Sequence, residues 1–332
     1  MRVPRTAVRR TLLAPLVLAV DAVLVAASPA LAVAAALASP VVGGRRPLRV
    51  LTILVVYAAR HLACTLACLA LWVASGFGRH AGTARMQHAH YAVLRWFVGG
   101  LHRTMVRVAR IRVQLEDSRE ADAVLSANDR PVVVLSRHAG EGDSLLVLHE
   151  LLCRHGRRPR VVLHQALRLD PLIDILGQRL PNRFVDPRGG DTEVEIAAMS
   201  THLERDAAVL IFPEGGNFSH ARRTRGIARL RDLGRHDHAE RADEMAHVVA
   251  PRPGGALAAL GAAAGADVVL VGHVGVPDGL GAAWRTLPEP QTVRMRMWVV
   301  RAEDVPRGRD DQIEWLFGWW ELLDGWVGEQ RA

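Results

Sequence analysis

Apolar positions fall into distinct regimes along this chain. From Thr11 to Ala38 they run almost unbroken, with Asp21 the one charge among them. A run of that length predicts a helix able to cross a hydrocarbon core of ~30 Å. A second apolar run, Leu48 to Phe77, is interrupted by Arg49 and by the pair Arg60-His61. An arginine at mid-depth costs roughly 2.5–3.5 kcal/mol on insertion scales. The second segment is therefore expected to lie partly in the interface, or to pack its polar pair against the first helix. Pro40, Gly43 and Gly44 supply the turn between them. Met86 to Arg110 then reads as an amphipathic helix: Leu94, Phe97, Val98, Leu101, Met105 and Val108 recur at helical spacing.

From Ile111 the pattern changes to short β-rich runs alternating with helical ones. Strands are expected at 111–115, 132–136, 160–164, 183–186, 207–212, 246–250, 268–274 and 293–300. Helices are expected near 118–127, 144–155, 168–177, 191–205, 222–233, 254–264 and 309–327. Alternation of this kind predicts an α/β fold with a largely parallel central sheet flanked by helices. Val132-Val-Val-Leu135 and Ala208-Val-Leu-Ile211 are continuously apolar, as strands covered on both faces are. The expected organisation is an N-terminal hydrophobic helical hairpin (1–80), an amphipathic linking helix (81–110) and a catalytic domain (111–330).

Composition adds charge to this picture. Of 332 residues half are hydrophobic, net charge is +8, and all 42 basic residues are arginine. Arginine grips phosphate and carboxylate bidentately and keeps its charge when partly desolvated. Each one near anionic headgroups is worth on the order of 1 kcal/mol. Nucleic acid is the rival partner for a basic protein, but there is no zinc-finger spacing and no aromatic RNA-binding signature; membrane lipids are the expected partner and nucleic acid is not. Ala30-Leu31-Ala32 resembles a signal-peptidase site. The apolar stretch continues past it and a second follows, so a retained hairpin is expected. Arg2, Arg5, Arg9 and Arg10 before the first run, with Arg79 and Arg85 after the second, favour a cell-membrane protein whose catalytic domain faces the cytoplasm. Cys64, Cys68 and Cys153 form neither a disulfide framework nor a metal quartet.

Two short stretches carry the chemistry. His138-Ala-Gly-Glu-Gly-Asp143 follows one apolar strand, and its carboxylate can orient its imidazole as a general base. Phe212-Pro-Glu-Gly-Gly216 ends another strand in a carboxylate and two glycines, so backbone N–H groups are free to face a substrate. Both fall at strand carboxyl ends, where open α/β sheets place their ligands. His236-Asp-His238 with His220 and His247 invites a metal reading, but its spacing and charge suit a solvated helix or loop, and no metal or cofactor is expected. No G-x-S-x-G elbow points to a serine hydrolase. Trp315, Trp319, Trp320 and Trp326 lie at helical spacing, with core packing the expectation and interfacial anchoring the alternative.

In order along 111–330, four stretches resemble the motifs of the lysophospholipid and 1-acylglycerol-3-phosphate acyltransferases. Ser136-Arg-His-Ala-Gly-Glu-Gly-Asp143 is similar to the first, Phe184-Val-Asp-Pro-Arg188 to the second and Phe212-Pro-Glu-Gly-Gly-Asn-Phe-Ser219 to the third. Ala250-Pro-Arg-Pro-Gly-Gly255 is similar to the fourth. The resemblance implies an O-acyltransferase in phospholipid biosynthesis, moving a fatty acyl group from acyl-CoA or acyl-carrier protein to a lysophospholipid hydroxyl. It implies catalysis by His138 and Asp143, and substrate binding by Phe184, Arg188, Glu214, Gly215, Gly216 and Asn217. Glu214 either anchors its loop or meets the acceptor. The sequence departs from the pattern where Gly216-Asn217 replace the usual threonine and arginine, which removes a phosphate contact that Arg222, Arg223 or Arg225 could replace. It departs again at Pro187, and at Arg137 in place of asparagine. The changes in the second and third motifs bear on the phosphate headgroup rather than on acyl transfer. The alternatives are an acyltransferase for another lipid acceptor (a glycolipid or amino lipid) and a non-catalytic membrane lipid-binding protein of the same fold.

Overall fold

The computed structural model describes residues 3–140, 142–186, 191–277, 280–287 and 289–331. The chain forms two compact units, each assembled from separate stretches.

One unit holds residues 1–112, 160–189 and 281–291. Its two apolar helices, Thr6–Ala38 and Arg46–Ala74, have mean hydropathies of 2.3 and 1.8 over their best windows and are long and apolar enough to cross a membrane. Such helices hint at membrane association. Several polar residues inside them find partners within the protein. His61, 1% exposed, sits with Nδ1 2.6 Å from Asp21 Oδ2 and Nε2 3.2 Å from Asp170 Oδ1. Tyr57 donates its hydroxyl to Asp170 at 3.0 Å. Arg9 pairs with buried Asp174 at 3.0 Å. Of the Arg60-His61 pair, His61 packs against the first apolar helix through Asp21. Arg60 instead turns to the helix Ala84–Arg107, stacking on the Trp96 ring at 4.1 Å and donating to Trp96 O at 2.8 Å. Gly100 makes room: a Cβ there would lie 1.8 Å from the guanidinium carbon. The same unit holds a parallel strand pair, β3 (Arg158–His164, most of it) with β4 (Arg183–Val185).

The other unit holds residues 113–159, 190–280 and 292–332. Its strands are β1 (Ile111–Glu116, all but the first two residues), β2 (Val132–Ser136), β5 (Ala207–Ile211), β6 (Asp267–Val274) and β7 (Gln291–Val300, all but the first residue), in the order β1-β7-β6-β2-β5. β2 lies parallel to both β5 and β6, while β6 and β7 are antiparallel. With the β3–β4 pair parallel too, the sheet structure is mixed but mostly parallel and flanked by helices, an α/β fold. β2, β5 and β6 are buried along their whole length. The Trp-rich helix Arg309–Glu329 packs as core: Trp320 and Trp326 are buried, and Trp326 meets Trp298 of β7 edge-on at 5.8 Å.

Three expectations about elements need correction. The stretch 246–250 is apolar enough for a strand, and Val248, Val249 and Ala250 are buried, yet it forms none. Side chains satisfy its backbone instead. Asp324 accepts the N–H groups of Ala246, His247 and Val248, and Glu214 accepts that of Val249. The helix expected over 191–205 stops at Met199, where Ser200 caps back onto Ile196 and His202 turns left-handed (φ 48°). The helix expected over 168–177 begins as a 3₁₀ turn, Gln165–Leu169. It becomes α-helical at Pro171, where Asp170 accepts the Ile173 N–H at 2.9 Å.

Candidate active site

Strand register places the site. Leu135 of β2 pairs with Ile211 of β5, so His138 and Glu214 each stand three residues beyond a paired position. On the other side Ser136 pairs with Val271 of β6, which sets His273 at the level of residue 138. Three neighbouring parallel strands thus deliver an imidazole, a carboxylate and a second imidazole to one end of the sheet.

His138 leaves β2 and the chain turns at Gly142, whose φ of 112° suits a residue without a Cβ. The helix Asp143–His149 opens at once. Asp143 Oδ2 accepts the Nδ1–H of His138 at 2.9 Å and the N–H groups of Ala139 at 2.8 Å and Gly140 at 3.3 Å. Burial alone would raise this carboxyl. The hydrogen bond from His138, the adjacent His273 and the Gly140 N–H outweigh it and hold Asp143 below the usual carboxylate range. Asp143 therefore stays ionised, and it fixes the tautomer in which Nδ1 of His138 carries the proton. Nε2 has no protein partner among the described residues, and the ring is 21% exposed. Phe212 tilts against it with ring centroids 4.5 Å apart.

Glu214 is fully buried, and its two oxygens accept the N–H groups of His138 at 3.0 Å and Val249 at 3.2 Å. Of the two roles open to it, this geometry is that of an anchor, tying the His138 loop to the 246–250 segment. Burial pushes its carboxyl up to about 7, against the pull of the Arg137 charge and the two N–H donors. Gly215 (φ 69°) closes a turn by donating its N–H to Phe212 O at 3.0 Å. Between the two glycines, that leaves the Gly216 N–H unengaged among the described residues. Asn217 is half-buried beside it. The next residue, Phe218, donates its N–H to His138 O at 2.8 Å, which stitches the two motif loops together.

Phe184 lies on β4 in the other unit, where the Arg168 guanidinium stacks on its ring at 4.5 Å and the ring packs onto bare Gly177. Arg188 lies outside the described residues. No group of His, Cys, Asp and Glu able to hold a metal occurs among the described residues. His238 instead meets Phe317 at 4.4 Å and Glu314 at 2.9 Å on the helix His236–Glu244.

Two further residues, Arg137, which departs from the family pattern, and His273, which lies outside its motifs, complete the site. Arg137 is fully buried and donates to His273 O at 2.6 Å and His247 O at 2.8 Å, while His273 Nε2–H donates to Arg137 O at 3.0 Å. This reciprocal clamp fixes the main chain one residue before His138. Burial drives the His273 imidazole down to about 4, so it is neutral at pH 7. The visible signals were a charge directly after an apolar strand and a histidine interrupting another.

The site is thus an oriented imidazole at the strand ends of a mostly parallel α/β sheet. Residues 110–251 match a family model described as Acyltransferase. Over that stretch, less than half of the chain, the match supports a domain of the glycerolipid acyltransferase family. No curated protein matches the chain.

Proposed function

We propose that this protein is a membrane-associated acyltransferase that moves a fatty acyl group from an acyl thioester to the free hydroxyl of a lysophospholipid. The observation that carries the reading is the His138–Asp143 pair: an imidazole with Nδ1 held by an ionised carboxylate and Nε2 open. Nε2 takes the hydroxyl proton as the hydroxyl oxygen attacks the thioester carbonyl. Asp143 stabilises the imidazolium so formed, the logic of a Ser-His-Asp triad with the substrate supplying the hydroxyl. The tetrahedral oxyanion collapses by breaking the C–S bond, and the departing thiolate takes the proton from His138. The Gly216 N–H is the donor offered to the oxyanion. Glu214, the Arg137–His273 clamp and the Phe218 N–H hold these loops in place. The apolar hairpin keeps the domain at a cytoplasmic membrane surface, where a lipid acceptor is found. Acyl-CoA or acyl-carrier protein serves as co-substrate, and no cofactor takes part.

The test is acyl transfer by the full-length protein in detergent, with radiolabelled acyl-CoA and a panel of lysolipids. Transfer to lysophospholipids that His138→Ala reduces by about 10²–10⁴-fold is expected. No transfer to any acceptor, or undiminished transfer by the variant, refutes the reading. Transfer confined to sugar-bearing lipids moves the acceptor to another class.

A further inference from the structure

The helix His220–Asp232 carries five arginines and one acid, at its last residue. The arginines divide into two sets. Arg223 donates to Met245 O and reaches Asp243, and Arg231 also lies near Asp243, so this set has an acidic partner. Arg222, Arg225 and Arg229 are spaced three and four apart, which puts them on one face of the helix. None of the three has a carboxylate partner among the described residues. Arg225 Nε donates to Ala221 O within its own helix, and Arg222 Nη1 donates to Gly215 O at 3.3 Å. All three are exposed.

A fourth cation joins this face from elsewhere in the chain. A Cβ on Gly215 would lie 3.4 Å from Nη1 of Arg252, and one on Gly216 would lie 2.0 Å from Nη1 of Arg222, so both guanidinium groups lie against the glycine loop. Arg252 is held below the usual arginine range by burial, then by the charges of Arg229 and Arg222, as expected of cations crowded together. Like charges at helical spacing repel. A crowd of four without a carboxylate is a surface prepared for an anion. From Arg222 to Arg229 the helix rises about 10 Å. That span exceeds one phosphate and fits several in a row, and one end of it touches the loop beside His138.

We propose that Arg252, Arg222, Arg225 and Arg229 form the binding site for the phosphates of a nucleotide thioester donor, acyl-CoA, with the thioester end directed to the Gly216 loop. The proposal rests on the acyl-transfer reading above for what the bound donor is used for. A phosphate-bearing acceptor headgroup shares the same chemistry, and the experiment separates the two sources.

The experiment is calorimetric titration of the full-length protein in detergent with CoA and, separately, with glycerol 3-phosphate. Arg225→Gln/Arg229→Gln and Arg252→Gln are expected each to weaken CoA about tenfold or more, because charge-assisted hydrogen bonds are lost. Arg231→Gln removes one positive charge from the other face and is expected to leave CoA binding unchanged. Added salt weakens CoA binding to the wild type more steeply than to the double variant. No CoA binding by the wild type overturns the proposal, as does CoA binding that the double variant does not weaken. Weakening confined to glycerol 3-phosphate overturns it in favour of the acceptor. Binding needs no turnover, so the two readings fail separately. CoA held by this row without transfer would sink only the catalytic reading. Transfer whose donor KM the double variant leaves untouched would sink only this one.

Discussion

Two histidines in this molecule sit against carboxylates at similar distances and face opposite fates. His61, between the two apolar helices, has a carboxylate at each ring nitrogen and is 1% exposed. His138, at the end of β2, has a carboxylate at Nδ1 and no protein partner at Nε2. The first arrangement uses every polar atom of the ring for packing, so nothing remains to meet a substrate. The second spends one nitrogen on orientation and keeps the other. A carboxylate beside an imidazole is therefore not by itself the mark of a reactive site; the proposed chemistry also requires the second nitrogen to be open.

The sharpest break of this comparison is removal of each ring in turn. His138→Ala is expected to cost about 10²–10⁴-fold in turnover while the melting temperature stays within a degree or two. Comparable loss of activity and of thermal stability would make His138 a packing residue like His61. Asp143→Asn is expected to follow with a similarly large loss, because the amide no longer holds the Nδ1–H tautomer or stabilises the imidazolium. His61→Ala is expected to invert the pattern. It strands Asp21 in a buried setting, while Asp170 keeps the Tyr57 hydroxyl and the Ile173 N–H; the loss of about 3–5 kcal/mol is read as a large fall in melting temperature in detergent. Activity per folded molecule is expected to persist.

Glu214→Gln sits between the extremes. Its amide nitrogen must face either the His138 or the Val249 N–H, so one donor loses its acceptor at a cost of about 1–3 kcal/mol. pH supplies a second readout. The folded carboxyl is raised to about 7 from an ordinary 4.5, so its stabilising contribution is complete below pH ~4.5 and is lost as pH rises through ~7. The wild type is expected to lose stability across that window relative to Glu214→Gln, which has no proton to lose. Parallel stability profiles for the two proteins would contradict this assignment.

Much of this was legible in the sequence, and the reasons are physical. Buried parallel strands must be apolar on both faces, so β2, β5 and β6 announced themselves. The His138–Asp143 pair was visible because both ends of the hydrogen bond lie within one loop. The 246–250 segment misled because burial and strand propensity coincide there, while the groups that satisfy its backbone, Glu214 and Asp324, lie more than thirty residues away on either side. His273 and Arg252 were harder to place for a related reason. The first reaches the site through the pairing of β2 with β6, the second through the return of the chain to the Gly215 turn. A histidine interrupting an apolar strand and an arginine inside the fourth motif were visible, but neither local pattern tells where the side chain arrives. Among the downstream arginines, composition left Arg222, Arg223 and Arg225 equivalent; Asp243 separates Arg223 from the other two.

The 246–250 segment also bears on how the protein is made. Its three leading N–H groups find their acceptor in Asp324, 76 to 78 residues further along the chain. During synthesis, with earlier residues emerging first, the segment is exposed long before that carboxylate exists. The wall that Glu214 and Arg137 grip can close only after the Trp-rich helix has docked. On the proposed function, competence for chemistry then arrives late in biogenesis, after the two apolar helices have left the ribosome. Nascent chains stalled before the Trp-rich helix would present those helices yet be inert.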